Sequence, residues 1–453
     1  MHGPVRVPEN AAVGTAVAKI SFDAWKDASI RPSEHRLTIK APRSIVKTEP
    51  VSPRLIRTFI HPDREAAIFS TSFSKDGKSI SGLSLLSGKF QIWDSASGEQ
   101  VRTINSARDS MSAAFGPDGR TVYVPVQRVR PQLFGKSNKG KVKWSTRGEI
   151  QIWDLLTGKQ LPSLVHSPQR GEMSIDLSPD GSTLVAVERM PGDDGYGIKD
   201  VVTQWDVSAR TSRFLAEGYG LLAFSPDGKS LAITISDYGR KESSLKLFDV
   251  ATARERAILL KAKKSYFGSP SFSPDGRLVA ASLSAADERP AEVKLWDATT
   301  GKEVGSFISP KKFQSVIGPR FSHDNRWLAA GINEGLAFLY DVAGRKLSRT
   351  CHISGSNRLR GLAFSPDDRW LAIAGMEMPA DLTREEARDA NPVDWPQPRV
   401  FLFDLTTGSE PEVLICPHGG VGHLAFSPNS RFLAVGGLGC VWLFDTNQRS
   451  ARR

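Results

Sequence analysis

Two phrases, Phe272-Ser-Pro-Asp-Gly276 and Trp296-Asp297, frame the stretch on which the fold turns; Leu278-Val-Ala-Ala-Ser282 lies between them and Thr300-Gly301-Lys302 just after. Each part reads as a step in an antiparallel sheet. Proline presets φ for the second position of a type I turn, and the closing glycine supplies the left-handed conformation that lets two strands pair with a bulge. The apolar run, bounded by turn residues, has the character of a strand. Thr-Gly-Lys marks a second hairpin after the Trp-Asp pair, so three strands and a fourth result. Small residues in the middle run suit a sheet that tapers toward an axis.

The first phrase occurs eight times. It opens at Phe73, Phe115, Leu177, Phe224 and Phe272 and ends each time in Asp-Gly, and looser copies stand at Phe321-Ser-His-Asp-Asn, Phe364-Ser-Pro-Asp-Asp and Phe426-Ser-Pro-Asn-Ser. Successive anchors are 42, 62, 47, 48, 49, 43 and 62 residues apart. The second phrase also occurs eight times: Trp93-Asp94, Trp153-Asp154, Trp205-Asp206, Phe248-Asp249, Trp296-Asp297, Tyr340-Asp341, Phe403-Asp404 and Phe444-Asp445. A period of this size is the mark of propeller blades. The expected fold is therefore all-β, an eight-bladed β-propeller of four-stranded antiparallel blades.

Over residues 54 to 445 the chain resembles the WD-repeat family, on the Ser-Pro-Asp-Gly turn and the Trp-Asp dipeptide. A TolB-like propeller, which shares the turn, is the neighbouring alternative. Relatives of the WD type often carry an Asp about six residues before the Trp, hydrogen-bonded to a Gly-His histidine. Here those places hold Ser87, Arg147, Lys199, Glu242, Pro290, Glu334, Gln397 and Leu438, and histidines precede the first strand only in some repeats, as His61, His166, His352 and His418. Stability is expected to rest on packing more than on that polar set.

After Asp445 only Thr446 to Arg453 remain, too short and polar for a fourth strand. Arg54-Leu-Ile-Arg-Thr-Phe-Ile-His61 supplies one, since it matches the fourth strand Glu99-Gln-Val-Arg-Thr-Ile104 and precedes the first repeat. It is expected to join the last blade, closing the ring and removing exposed sheet edges. The propeller then occupies residues 51–453. Residues 1–50 form a short β-rich appendage, with strands expected at Val5 to Val7, Thr15 to Phe22 and Arg36 to Lys40. Val7 to Thr15 is similar to the opening of a cadherin-like sandwich, which some 40 residues cannot complete. The appendage is either packed on the propeller or the tail of a larger domain.

Composition bounds the rest. Hydrophobic residues at 40% and charged residues at 24% allow a large core. The uncharged stretch Phe432 to Phe444 is glycine-rich and too short to cross a bilayer, and Met1 to Asn10 lacks a signal-like apolar segment, so a cytoplasmic monomer is expected. The cysteines Cys351, Cys416 and Cys440 have neither disulfide nor zinc-ribbon spacing.

Function is sought in the insertions. Repeats two and seven carry long ones between their second and third strands, and repeats three and five carry shorter ones at the same point, which should gather on one face. The insertion of repeat two, Pro125 to Gly148, holds Arg128, Arg130, Lys136, Lys139, Lys141, Lys143 and Arg147 without an acidic residue, with Phe134 and Trp144 interleaved. With a net charge of +11, this is most of the excess. Such a segment can bind an acidic protein, nucleic acid or an anionic lipid surface, or simply be a solvated hairpin. Arg128, Arg130, Lys136, Lys139, Lys141, Lys143, Trp144 and Arg147 are the partner-binding candidates. In repeat seven, Thr383-Arg-Glu-Glu386 fits a capping box for a short helix. Asp193, Asp194 and Asp200 do not fit an EF-hand, and Gly77-Lys-Ser and Gly228-Lys-Ser lack the first glycine of a P-loop. Cys351-His352 and Cys416-Pro-His418 would form a metal site only if the blades brought them together. With no catalytic set and no cofactor motif, the leading expectation is a non-catalytic protein-interaction scaffold. The alternatives are an enzyme or small-ligand sensor at the channel mouth and a binder of nucleic acid or acidic surfaces.

Overall fold

The computed structural model describes residues 15–17, 36–38 and 52–447, apart from segments 63–67, 85–87, 106–112, 128–131, 134–141, 144–147, 166–170, 192–197, 238–241, 264, 286–289, 309–315, 333–334, 354–357, 377–397 and 418–419. The chain divides into two compact units, Met1–Glu49 and Pro50–Arg453. In the first, Thr15–Val17 pairs antiparallel with Arg36–Thr38, and the expected strand at Val5 to Val7 lies outside the described residues.

Among the described residues the second unit holds eight antiparallel blades, in which strands follow one another in sequence order, and one two-stranded hairpin. The first blade is typical: Ile68–Phe73, Ser79–Ser84, Lys89–Asp94 and Gln100–Asn105. The eighth departs from that order. Its strands Val421–Phe426, Phe432–Gly437 and Cys440–Asp445 are completed by Leu55–Ile60, with Phe59 opposite Val441 and Ile60 opposite Cys440. The two ends of the propeller thus share one sheet, as the sequence predicts, and the all-β eight-bladed fold is the one observed.

Local chemistry builds each blade. In the turn Ser273 to Gly276, the Ser273 hydroxyl donates to Asp275 Oδ1 at 2.6 Å and accepts the Leu278 amide at 2.9 Å. Gly276 has φ 72°, which only glycine adopts without cost. The Trp-Asp aspartate does the same at the other hairpin: Asp297 accepts the amides of Thr299 and Thr300 at 3.0 and 2.7 Å. Where repeat two has Gly116 in place of serine, the Thr121 hydroxyl donates to Asp118 instead, at 2.5 Å.

The three loosened turns keep the left-handed residue without glycine: Asn325, Asp368 and Ser430 have φ 63°, 57° and 60°. Each offsets that cost with a bond to the preceding blade. Asn325 accepts the Asp275 amide at 3.0 Å, Asp368 the His323 amide at 2.6 Å and Ser430 the Asp367 amide at 2.9 Å. A glycine turn instead packs on its neighbour, since a Cβ on Gly181 would sit 2.8 Å from Pro117 Cδ.

The core follows the blade interfaces. Each second-phrase aromatic joins an apolar cluster with the preceding blade: Trp296 with Leu245 and Leu247, Tyr340 with Leu295 and Phe307, and Trp93 with Val441 and Leu443 across the ring closure. These aromatics are packing residues. Seven of the eight are buried and Trp153 is half-buried. His61 is fully buried on the closure, where its ring bonds the Lys89 carbonyl at 3.2 Å and edges Trp93.

One side chain fastens the ends. Arg54, 3% exposed, donates to both carboxylate oxygens of Glu412 on the seventh blade at 2.5 Å and to the carbonyls of Asp445 and Thr446. Its guanidinium also lies over the Trp370 ring. Removing one partner of a buried pair costs about 3–5 kcal/mol. Arg54→Ala is therefore expected to lower the stability measured by urea unfolding by about that amount; an unchanged midpoint would mean that this contact does not hold the ring closed.

Candidate functional site

The strand order sets two faces. Turns of the Ser-Pro-Asp-Gly type and the Trp-Asp hairpins share one face, and the connections between second and third strands share the other with the links between blades. The strands Thr121–Gln127, Thr183–Pro191, Leu278–Ala285 and Trp370–Met376, after which the insertions of repeats two, three, five and seven begin, all end on that second face.

Of the basic candidates, Lys143 lies in a small hairpin of its own, where Val142–Lys143 pairs with Gln132–Leu133 and Lys143 stands opposite Gln132. Arg128, Arg130, Lys136, Lys139, Lys141, Trp144 and Arg147 lie outside the described residues, as do Asp193, Asp194, the capping box at Thr383 to Glu386 and His418. Asp200 sits in the strand Ile198–Asp206, with its carbonyl accepting the Gly218 amide at 2.7 Å. Cys351 and Cys416 belong to different apolar clusters, and Cys416 shares its cluster with Cys440. Burial pushes the Cys351 thiol up to about 11 and Cys440 to about 12, which suits inert core thiols. Among the described residues no group of three or more His, Cys, Asp and Glu is placed to hold a metal.

A second site comes from the inner wall of the ring. The first strand of each blade lies nearest the axis, beside the first strand of a neighbouring blade, and the residue one before its anchor is small in most blades, with Ala114, Ala223 and Ala363 packed against clusters shared with the next blade. The residue one before is Ser72, Ala114, Ala223, Ser271, Ala363 or Ala425 in six blades, all half-buried. The exceptions are Asp176 on Gly171–Leu177 and Arg320 on Val316–Phe321. Three before the anchor of the eighth blade stands His423, on Val421–Phe426. Arg320 and His423 are ringed by protein yet exposed, and Asp176 is half-buried, the combination expected of a channel wall. The third, sixth and eighth blades place these groups on three sides of the axis.

Their electrostatics are coupled. Burial pushes the Asp176 carboxyl up to about 6, against the pull of the Leu177 amide and of the Arg320 charge. Burial opposes the charge on Arg320, which Asp176 favours, and a guanidinium stays protonated in proteins. His423 is held below its ordinary value by burial and by Arg320. Its Nδ1 lies 3.2 Å from the Thr71 carbonyl, which can only accept, so Nδ1 carries the proton and Nε2 of the neutral ring is an acceptor.

Sequence reading missed this trio because each residue lies inside a strand with no motif around it. Aligning the eight anchors exposes it, since two of the three stand in a column otherwise made of Ala and Ser.

Asp176 carries a testable stability cost. Its proton is retained in the fold up to about pH 6 but lost from the unfolded chain near pH 4, so unfolding releases a proton between those values and stability falls as pH rises through them. Asp176→Asn is expected to melt above the wild type at pH 7 and to converge with it near pH 4. Superimposable melting curves at both pH values would contradict the raised value.

A family model described as WD domain, G-beta repeat, matches residues 410–445. That stretch covers Glu412–Ile415, the outer strand of the seventh blade, and the three strands Val421–Phe426, Phe432–Gly437 and Cys440–Asp445 of the eighth. The repeat is thus offset from the blade by one strand, the offset that Leu55–Ile60 makes good at the other end. No curated protein matches the chain. The chain is thus an eight-bladed β-propeller in which residues 410–445 match the WD repeat.

Proposed function

We propose that this propeller is a non-catalytic scaffold that binds an acidic protein partner through the insertions on one face, chiefly the basic segment 128–147. What supports the reading is position: the segment leaves and re-enters the second blade between Thr121–Gln127 and Gly148–Asp154, on the face that carries the other insertions. Its sequence holds seven cations and no carboxylate, with Phe134 and Trp144 among them. Cations of this density attract an acidic surface at long range, and aromatics supply contact area once it is docked. The rigid ring contributes a fixed base, because its blades are tied by buried aromatics and by bonds between turns. Among the described residues no helix is long and apolar enough to cross a membrane. A cytoplasmic monomer belongs to the same proposal.

The test compares the full chain with a variant in which 128–147 is replaced by a short Gly-Ser link, each used to capture partners from native lysate across a salt series. The expected result is an acidic protein retained by the full chain, released as salt rises and lost from the variant. Retention of the same protein by both chains would move the binding face elsewhere. Retention of nucleic acid in its place, with a steep salt slope, would replace a protein partner by a polyanion.

A further inference from the structure

We infer that the central channel binds a small zwitterion, its carboxylate held by Arg320 and its ammonium by Asp176 and His423. This goes beyond the scaffold reading and rests on other residues.

Three observations lead to it. First, the matching places on the first strands are otherwise uncharged: at the described positions one and three residues before the anchors, the remaining side chains are Ala, Ser, Leu or Gly. A carboxylate, a guanidinium and an imidazole in that setting are exceptions, and the fold does not call for them. Second, none of the three is spent on another. No ion pair joins Asp176 to Arg320, although each lies in the field of the other. Among the described residues the Arg320 guanidinium makes a single long bond, to the Pro319 carbonyl at 3.5 Å, out of five donors, and the Asp176 carboxylate accepts only the Leu177 amide at 2.9 Å. His423 uses Nδ1 on Thr71 and keeps Nε2.

Third, the signs select the ligand. A simple anion drawn to Arg320 meets the Asp176 charge, and a simple cation drawn to Asp176 meets Arg320. A molecule bearing both charges satisfies both walls, and the guanidinium fork matches a carboxylate in two parallel bonds. The ammonium end has three donors, which Asp176 and the Nε2 acceptor of His423 can share. The third and sixth blades stand three apart in the ring of eight, so the two charges are recognised from well-separated walls and the spacing of the ligand's charges sets its fit. An amino acid with its amine and carboxylate separated by a short chain is the class that fits.

The series glycine, β-alanine, 4-aminobutyrate, 5-aminopentanoate and 6-aminohexanoate serves as a ruler, with acetate and methylammonium as single-charge controls. Binding to the full chain is measured by calorimetry and ligand-observed NMR near neutral pH. The expected result is a maximum at one or two chain lengths, with both controls weaker by about tenfold or more. Arg320→Gln and Asp176→Asn, each with the circular dichroism of the wild type, should lose at least about tenfold in affinity for the best member. The Gly-Ser variant of 128–147 should retain it, which separates this site from the partner-binding segment. Absence of binding by every member, equal binding by acetate, or undiminished binding by folded Arg320→Gln would overturn the inference.

Discussion

Pairing of Leu55–Ile60 with Cys440–Asp445 is the constraint on which the propeller depends. Each of the other seven blades finds its strands within one continuous segment, whereas the eighth must borrow its outer strand from the far end of the chain. Without it, Cys440–Asp445 would present a row of unpaired amides and carbonyls beside apolar Val441, Trp442 and Leu443, an edge prone to pair with another chain. The chain meets the demand with more than backbone bonds. Arg54 ties the borrowed strand to the seventh blade and to the C-terminal carbonyls, and His61 and Phe59 pack on Trp93 of the first. Glycines allow the close approach at the seam, where a Cβ on Gly422 would sit 2.5 Å from the Ile68 carbonyl oxygen.

Much of this was legible in the residues because the turns are chemical statements. Serine, proline, aspartate and glycine in that order leave the backbone few choices, and eight copies with eight Trp-Asp partners count the blades. The looser copies at Asn325, Asp368 and Ser430 were legible as turns but not as joints. Their bonds to Asp275, His323 and Asp367 link residues about 50 positions apart, and only the closed ring brings them together. The borrowed strand could be found by matching Arg54 to His61 with other fourth strands, but the Arg54 contact with Glu412 could not, since nothing local marks either residue.

The channel site was illegible for a different reason. Asp176, Arg320 and His423 are distant in sequence, and a strand pattern says which side of the sheet a residue takes without saying that one side meets an axis. Only when eight first strands surround a common centre do positions before the anchors become neighbours. The basic insertion is the reverse case: its composition is conspicuous, while its partner is a matter of surface chemistry that the fold does not specify. The two proposed surfaces, one at the insertion face and one along the axis, share the same ring.

Native-state hydrogen exchange on the full chain tests the closure most directly. In a ring sealed by its two ends, the amide of Phe59 in the borrowed strand exchanges as slowly as that of Val441 opposite it, through the same cooperative opening. Fast exchange across Leu55–Ile60, with protection kept in the other seven blades, would contradict the sealed ring and leave the eighth blade as three strands.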